Sequence, residues 1–358
     1  VQPVIEARAP GKLVIVGEYA VLCGAPGISV AVAVPAIARL EPLPGPDSEL
    51  LIPDTGERFG FRLDAGGAPR WLADAPGALG LPLESCIATL AAHGLWPARP
   101  PACRIELDTA AFHRKDAAGQ RSKLGLGSSA AVLVALMAVL LEYANAARPG
   151  QEELIALCCA AHRKLQGGSG SGIDVATAVA GGVIGIAARA DAEGLRTTPL
   201  DWPAGLHMLA IWSGNSASTP AMLARLQDYR TRQAGACAGH MARLGELAGR
   251  TLSAWQHADV PAVLTALDGY ASALQELDRD AGIGIYGGGH AAMRELARAH
   301  GAVYKPSGAG GGDFGLALGA SAQALAALAR DFTARGYHCL EAGFGAPGLA
   351  VSGSTQPR

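Results

Sequence analysis

From Val132 to Leu141 every position is apolar, a run too long for an ordinary strand and too short for a membrane span, which predicts a buried helix. Elsewhere the pattern is shorter and changes period. Strands are expected over 4–9 and 14–16, broken at Pro10-Gly11, and over 28–40, where Pro35 marks a break or an edge. Residues 49–61 read as a hairpin about Asp54-Thr55-Gly56, 83–93 as a helix and 103–108 as an alternating strand. Beyond the long apolar helix come a helix over 151–165, a small-residue helix over 175–180 opened by Asp174 and stopped by Gly181-Gly182, and a strand over 183–187. The second half predicts a strand over 207–212, helices over 220–248, 251–277, 291–300 and 322–335, and a glycine loop over 305–313 leading into a strand at 314–318. This irregular alternation argues for α+β layers over a doubly wound parallel sheet. The 358 residues suit two domains, and the polar stretch at 189–194 sets the expected division into 1–190 and 191–358.

Composition narrows the class. Half the residues are hydrophobic and 29 Lys and Arg nearly balance 31 Asp and Glu, which excludes a disordered chain and a nucleic-acid binder with a basic face. The seven cysteines show no C-x-x-C spacing, and the adjacent Cys158 and Cys159 cannot form an ordinary bridge with each other. Reduced, partly buried thiols are expected. The nine histidines lie apart, with no H-E-x-x-H. With no secretory leader pattern and no apolar run of membrane length, a cytoplasmic setting without a membrane partner is expected, as a monomer or homodimer.

The chemistry concentrates ahead of the apolar helix, in Lys123-Leu-Gly-Leu-Gly-Ser-Ser-Ala-Ala131. A helix N-terminus carries unpaired N–H groups and about half a positive charge, so it binds anions. Glycines let the backbone close around phosphate, and hydroxyls reach a phosphate oxygen or a metal ion. No Gly-Lys-Ser/Thr ends the loop, so it is not a Walker A loop. Gly125-x-Gly127-x-x-Ala130 fits a dinucleotide fingerprint, but the preceding stretch is polar and the acidic residue 142 lies on the helix itself. Alone, the loop also fits a plain Gly/Ser helix cap. Asp174, by the same local reading, fits either a helix N-cap or a cleft carboxylate.

Three further segments accompany the loop: Ala9-Pro10-Gly11-Lys12 through Gly17-Glu18-Tyr19, Gln166-Gly-Gly-Ser-Gly-Ser-Gly172-Ile173-Asp174, and Lys305-Pro306-Ser307-Gly308-Ala309-Gly310-Gly311-Gly312-Asp313. In order and spacing, over about residues 5 to 345, the chain resembles the GHMP kinases. That resemblance implies an N-terminal domain like ribosomal protein S5 domain 2, a C-terminal α+β domain and an active site between them. It implies ATP and Mg²⁺ as cofactors, with Lys123, Gly125, Leu126, Gly127, Ser128, Ser129 and Ala130 at the nucleotide. Ser129 is the expected Mg²⁺ ligand, and Ser128 is expected to cap the helix or contact phosphate. Asp174 is implied as the catalytic base, with Lys12 beside it stabilising the transferring phosphoryl group.

The acceptor is argued separately. Glu18 and Tyr19 are expected to contact it or shape its pocket, as are Ser171, Gly172, Ser307, Gly308, Ala309 and Gly310. The segment before Asp174 lacks the His and Pro of mevalonate kinases, and 160–166 holds no carboxylate where those enzymes place a magnesium-binding Glu. Gln166-Gly167, Gly170 to Asp174, Trp212-Ser-Gly214-Asn-Ser-Ala217-Ser218-Thr219 and the Lys305–Asp313 run resemble instead the phosphomevalonate kinase branch. Ser213, Ser216, Ser218 and Thr219 gather hydroxyls ahead of a helix begun by Pro220, either a second anion site or an N-cap box. The resemblance thus implies a small phosphorylated hydroxy acid, phosphomevalonate, as substrate, with mevalonate or another small hydroxy acid as the alternative. An acceptor phosphate is already ionised near neutral pH, so Asp174 is expected either as a base or as an orienting group.

Overall fold

The computed structural model describes residues 4–73, 75–115, 121–166, 170–188 and 194–353. Residues 167–169 of the mid-chain motif, and the domain division placed at 190/191, lie outside the described residues.

The chain opens with two long strands, β1 (Ile5–Val16) and β2 (Gly27–Pro42), followed by β3 (Ser48–Ile52), β4 (Glu57–Leu63), β5 (Pro69–Trp71), α1 (Leu81–Ala92) and β6 (Cys103–Asp108). A short hairpin, β7 (His113–Lys115) and β8 (Arg121–Lys123), leads into α2 (Ser128–Tyr143), α3 (Gln151–Leu165), α4 (Ile173–Ala180), β9 (Val183–Ala188) and β10 (Leu195–Leu200). Next come β11 (His207–Trp212), α5 (Thr219–Arg232), α6 (Ala234–Gln256), α7 (Val260–Ala281), α8 (His290–Ala299), β12 (Val303–Pro306), β13 (Phe314–Gly319), α9 (Ala322–Ala334), β14 (His338–Cys339) and β15 (Ala350–Ser352).

Among the described residues, one sheet has nine strands, in the order β10-β9-β2-β6-β3-β4-β5, with β1 pairing both β2 and β15. A second has the order β12-β13-β11-β14. Its pairs and nearly all of the first sheet's are antiparallel, β3 with β6 being parallel, as an α+β fold requires. The apolar helix α2 is buried along most of its length and packs on β1 and β2, as an all-round hydrophobic helix must. A smaller core of Ile211, Met293, Tyr304, Leu328 and Phe332 lies between the second sheet, α8 and α9.

Three expectations fail. Pro10-Gly11 does not break the first strand, because the register jumps from Pro10–Pro35 to Gly11–Val32. The ladder is interrupted where two prolines without N–H donors oppose each other, and both strands run on through it. Likewise Pro35 does not divide β2. The helices expected over 220–248 and 251–277 are three: a turn at Gln233 (φ −139°) separates α5 from α6, while Gly249 stays helical inside α6. The next real stop is the turn where Ala258 takes φ 53° and the Asp259 carboxylate caps α7 by accepting from the Ala262 N–H at 3.0 Å.

Candidate active site

β1 supplies the first side of the site. The Lys12 N–H donates to the Leu126 carbonyl (2.8 Å), tying the glycine loop to the strand. Gly11 allows that approach, since a Cβ there would stand 3.0 Å from the same oxygen. Leu126 itself is fully buried and anchors the loop. On either side of it Gly125 (φ 73°) and Gly127 (φ 80°) take left-handed backbone, which other residues rarely adopt. A Cβ at Gly125 would fall inside the Asp313 carboxylate, and one at Gly127 would press on the Lys12 stem at 3.2 Å.

The loop ends in α2 with Gly127 at the N-cap and no side-chain capping bond. Ser128 therefore does not cap the helix; it is the buried first helical residue. The first-turn amides of Ser128, Ser129 and Ala130 keep the donor surplus of an uncapped helix start. Ser129 is exposed, and its hydroxyl lies 3.2 Å from the His162 Nε2 of α3.

α4 supplies the opposing charge. Gly172 (φ 76°) takes its N-cap position and Asp174 stands in its first turn, so Asp174 is not the cap. Its carboxylate instead meets the Lys12 ammonium at 3.2 Å. The Lys12 side chain is 10% exposed and that of Asp174 34%, so the pair opens toward solvent. Gly127 packs against both partners, which places the glycine loop on one side of the pair. On the other lies a cavity of about 150 Å³ reached by Lys12, Asp174, Glu18, Tyr19, Ser171 and Gly172. Gly308, Ala309, Thr219 and His162 also line it, among the apolar side chains of Val14, Val21, Leu22 and Leu223. A smaller annex of about 110 Å³ shares His162, Ser171 and Gly172 and adds Arg163.

The remaining expected residues divide. Tyr19, at φ 63°, donates its hydroxyl to the Ala309 carbonyl (2.5 Å) and borders the cavity; burial holds its phenol well above the ordinary range. Glu18 borders the cavity but is ion-paired with Lys305, wholly buried, and accepts from the Gly308 N–H at 3.3 Å. The other Glu18 oxygen, Oε2, is buried with no hydrogen-bond partner. The Ser307 hydroxyl is spent on β1, accepting from the Val14 N–H (2.8 Å) and donating to its carbonyl (3.1 Å). Gly310 packs beneath Ile285, where a Cβ would lie 2.5 Å from a carbonyl.

The hydroxyls gathered before α5 are also largely occupied. Ser213 donates to the Asn215 carbonyl (3.2 Å) and Ser216 to the Lys123 carbonyl (3.0 Å). Ser218 holds the N-cap position without a side-chain bond, so the N-cap box is absent. Thr219 is the member of this group that reaches the cavity. Lys123 is exposed beside the glycine loop, and its charge, with that of Lys12, offsets part of the rise that burial imposes on the Asp313 carboxyl.

Sequence reasoning assigned no role to His162, Lys305 or His290. Lys305 carried one signal, its place at the head of the Lys305–Asp313 motif; His162 carried none. His290 holds the 305–313 loop: Nε2 donates to the Gly312 carbonyl and Nδ1 accepts from the Tyr304 hydroxyl, both at 2.7 Å. Burial lowers its pKa to about 4. All seven cysteines are free thiols, Cys23 among them exposed rather than buried. Among the described residues no helix is long and apolar enough to cross a membrane, and no cluster of His, Cys, Asp or Glu could hold a metal alone.

Residues 101–182 match the family model of the GHMP kinases N terminal domain. A phosphomevalonate kinase of Streptomyces sp. (strain CL190) is 29% identical over 217 residues, 55% of this chain and 57% of that protein's length. The structure of a Lin0012 protein from Listeria innocua superposes with a TM-score of 0.83 at 22% identity, covering 98% of this chain and 99% of that one. That of Streptococcus pneumoniae phosphomevalonate kinase in complex with phosphomevalonate and AMPPNP gives 0.75 at 20% identity, covering 95% and 99%. Residues 101–182 thus match a GHMP kinases N terminal domain, and across its described length the chain shares the fold of these solved structures.

Proposed function

We propose that this chain is an ATP-dependent kinase converting 5-phosphomevalonate to 5-diphosphomevalonate, its work divided between residues 1–190, which bind nucleotide, and 191–358. The observation carrying this reading is the Lys12–Asp174 pair, set between an uncapped glycine-lined helix start and a small-molecule cavity. Phosphoryl transfer needs that order: triphosphate held at its tail, acceptor opposite, a cation at the transferring group. The α2 amides hold the triphosphate, and Lys123 adds charge beside it. Lys12 neutralises charge building on the transferring oxygens, and Asp174 fixes the ammonium or takes the acceptor's proton where it has one.

The donor set fits Mg²⁺, which keeps several waters and takes one or two protein oxygens along with substrate phosphates. Ser129 and the open edge of Asp174 would hold it, and no all-protein cage is needed. Bound there, the ion would neutralise charge between phosphate oxygens.

The acceptor phosphate, as the attacking group, belongs in the main cavity beside Lys12 and Asp174, where Ser171, Gly172 and Thr219 also line the wall. One observation favours a second reading, mevalonate or another unphosphorylated hydroxy acid: Ser213 and Ser216 spend their hydroxyls on backbone, so the anion site expected before α5 is incomplete. The test is ADP release from MgATP with phosphomevalonate, mevalonate or no acceptor. The reading predicts a kcat/KM for phosphomevalonate at least about 100-fold above mevalonate. An inverted preference selects the second reading, and ADP release with neither acceptor rejects both.

A further inference from the structure

The exposed hydroxyl of the glycine loop, on Ser129, has one proton and two lone pairs, and a free hydroxyl rotates among its staggered positions. Here it is held. Its oxygen lies 3.2 Å from the Nε2 of His162, whose ring is 6% exposed near the end of α3. The same ring borders both the main cavity and the annex. α3 packs on α2 and α4, so one helix fixes this imidazole against both the glycine loop and the segment bearing Asp174. A neutral imidazole offers one ring nitrogen as an acceptor and the other as a donor.

We propose that His162 is a positioning residue: its Nε2 accepts the Ser129 hydroxyl proton, so the Oγ lone pairs face the cleft, toward a cation bound with the triphosphate. The opposite tautomer would drive a proton into the cleft and leave the oxygen poorly placed for a cation. Partners that orient a metal ligand in this way are generally worth about 10- to 100-fold in metal affinity. The inference rests on the kinase reading, because that reading makes Ser129 a cation ligand.

The test needs no turnover. Mn²⁺ binding is measured by electron paramagnetic resonance in the presence of a non-hydrolysable ATP analogue, with wild type, His162→Ala, His162→Gln, Ser129→Ala and the Ser129→Ala/His162→Ala double variant. His162→Ala should weaken Mn²⁺ about 10-fold or more while metal-free nucleotide affinity changes less than about 2-fold. His162→Gln, whose side-chain oxygen can accept the same proton, should recover most of the loss. In the Ser129→Ala background the His162 change should add nothing. In wild type, ¹⁵N-histidine spectra should show Nε2 unprotonated. Equal Mn²⁺ affinity in wild type and His162→Ala, a full effect persisting without Ser129, or a protonated Nε2 overturns the assignment while leaving the kinase reading intact. A wild-type chain that binds neither nucleotide nor Mn²⁺ overturns both.

Discussion

Two lysine–carboxylate pairs begin within one stretch of β1 and the turn after it, and their surroundings give them opposite character. Lys12–Asp174 is edge-open, with side-chain exposures of 10% and 34%; Lys305–Glu18 is sealed, at 0% and 3%. The sealed ammonium also donates to the Pro306 carbonyl at 2.7 Å, and burial still pulls its pKa down despite the adjacent carboxylate. Glu18 in turn is fixed through its own carbonyl, which accepts from the Tyr270 hydroxyl at 2.6 Å. A pair so enclosed spends its charges on each other and holds the 308–309 loop against β1. The open pair is partly solvated already, so in the proposed reaction its ammonium exchanges partner for a phosphate oxygen at small desolvation cost. On the proposed reading, the same two side-chain chemistries serve catalysis in one place and assembly in the other, with burial deciding which.

Four outcomes would break or sharpen that contrast. Replacing Lys12 by Ala or Asp174 by Asn should each lower kcat by about 10²- to 10³-fold, with thermal denaturation showing little loss of stability. Lys305→Met should do the reverse in kind, leaving Glu18 buried and unpaired at a cost of about 3–5 kcal/mol in urea unfolding. Glu18→Leu/Lys305→Met together should lose less than the single change. If Lys305→Met unfolds like wild type, the sealed pair does not hold the fold.

Acid should reach the assembly side through His290. Its folded pKa of about 4 lies below the ordinary value of 6.5, so the unfolded chain binds the extra proton between those values. Stability is then fully present above about pH 6.5 and falls as pH drops toward 4, by up to about 3 kcal/mol. His290→Gln should flatten that slope in pH-dependent unfolding. The smallest effect concerns thiols: Cys23, exposed, should react with a thiol reagent in the native chain well before the buried Cys86, Cys103 and Cys158. Burial lifts the Cys103 thiol to about 12 and the Cys159 thiol to about 11, which keeps both protonated and slow.

Features that depend on neighbours in sequence were legible: α3 and β11 coincide with their expected limits, and the glycine loop does lead into the buried apolar helix. Features that depend on what stands opposite were not. Pro10 reads as a break because its missing N–H is visible locally, whereas the Pro35 facing it, which makes the shift tolerable, is not. Gly249 reads as a stop but lies within a helix held by its packing on α7. The site shows the same limit. Glycine spacing marked the loop that leads into α2, but nothing local distinguishes Lys12 from Lys305, or Asp174 from a cap. Glu18 and Lys305 are 287 positions apart, and His162 and Ser129 are 33. Ser307 and Ser216 had the composition of ligand contacts, and their hydroxyls went to backbone instead.

The most direct test of the open pair's role is a double-mutant cycle on single-turnover phosphoryl transfer, using Lys12→Ala, Asp174→Asn and their combination at saturating ATP and phosphomevalonate. If the two groups act as one unit, each single change slows the step at least about 100-fold and the combination is within about threefold of the slower single. Two effects that multiply in full, or a near-normal rate in either single variant, would contradict it.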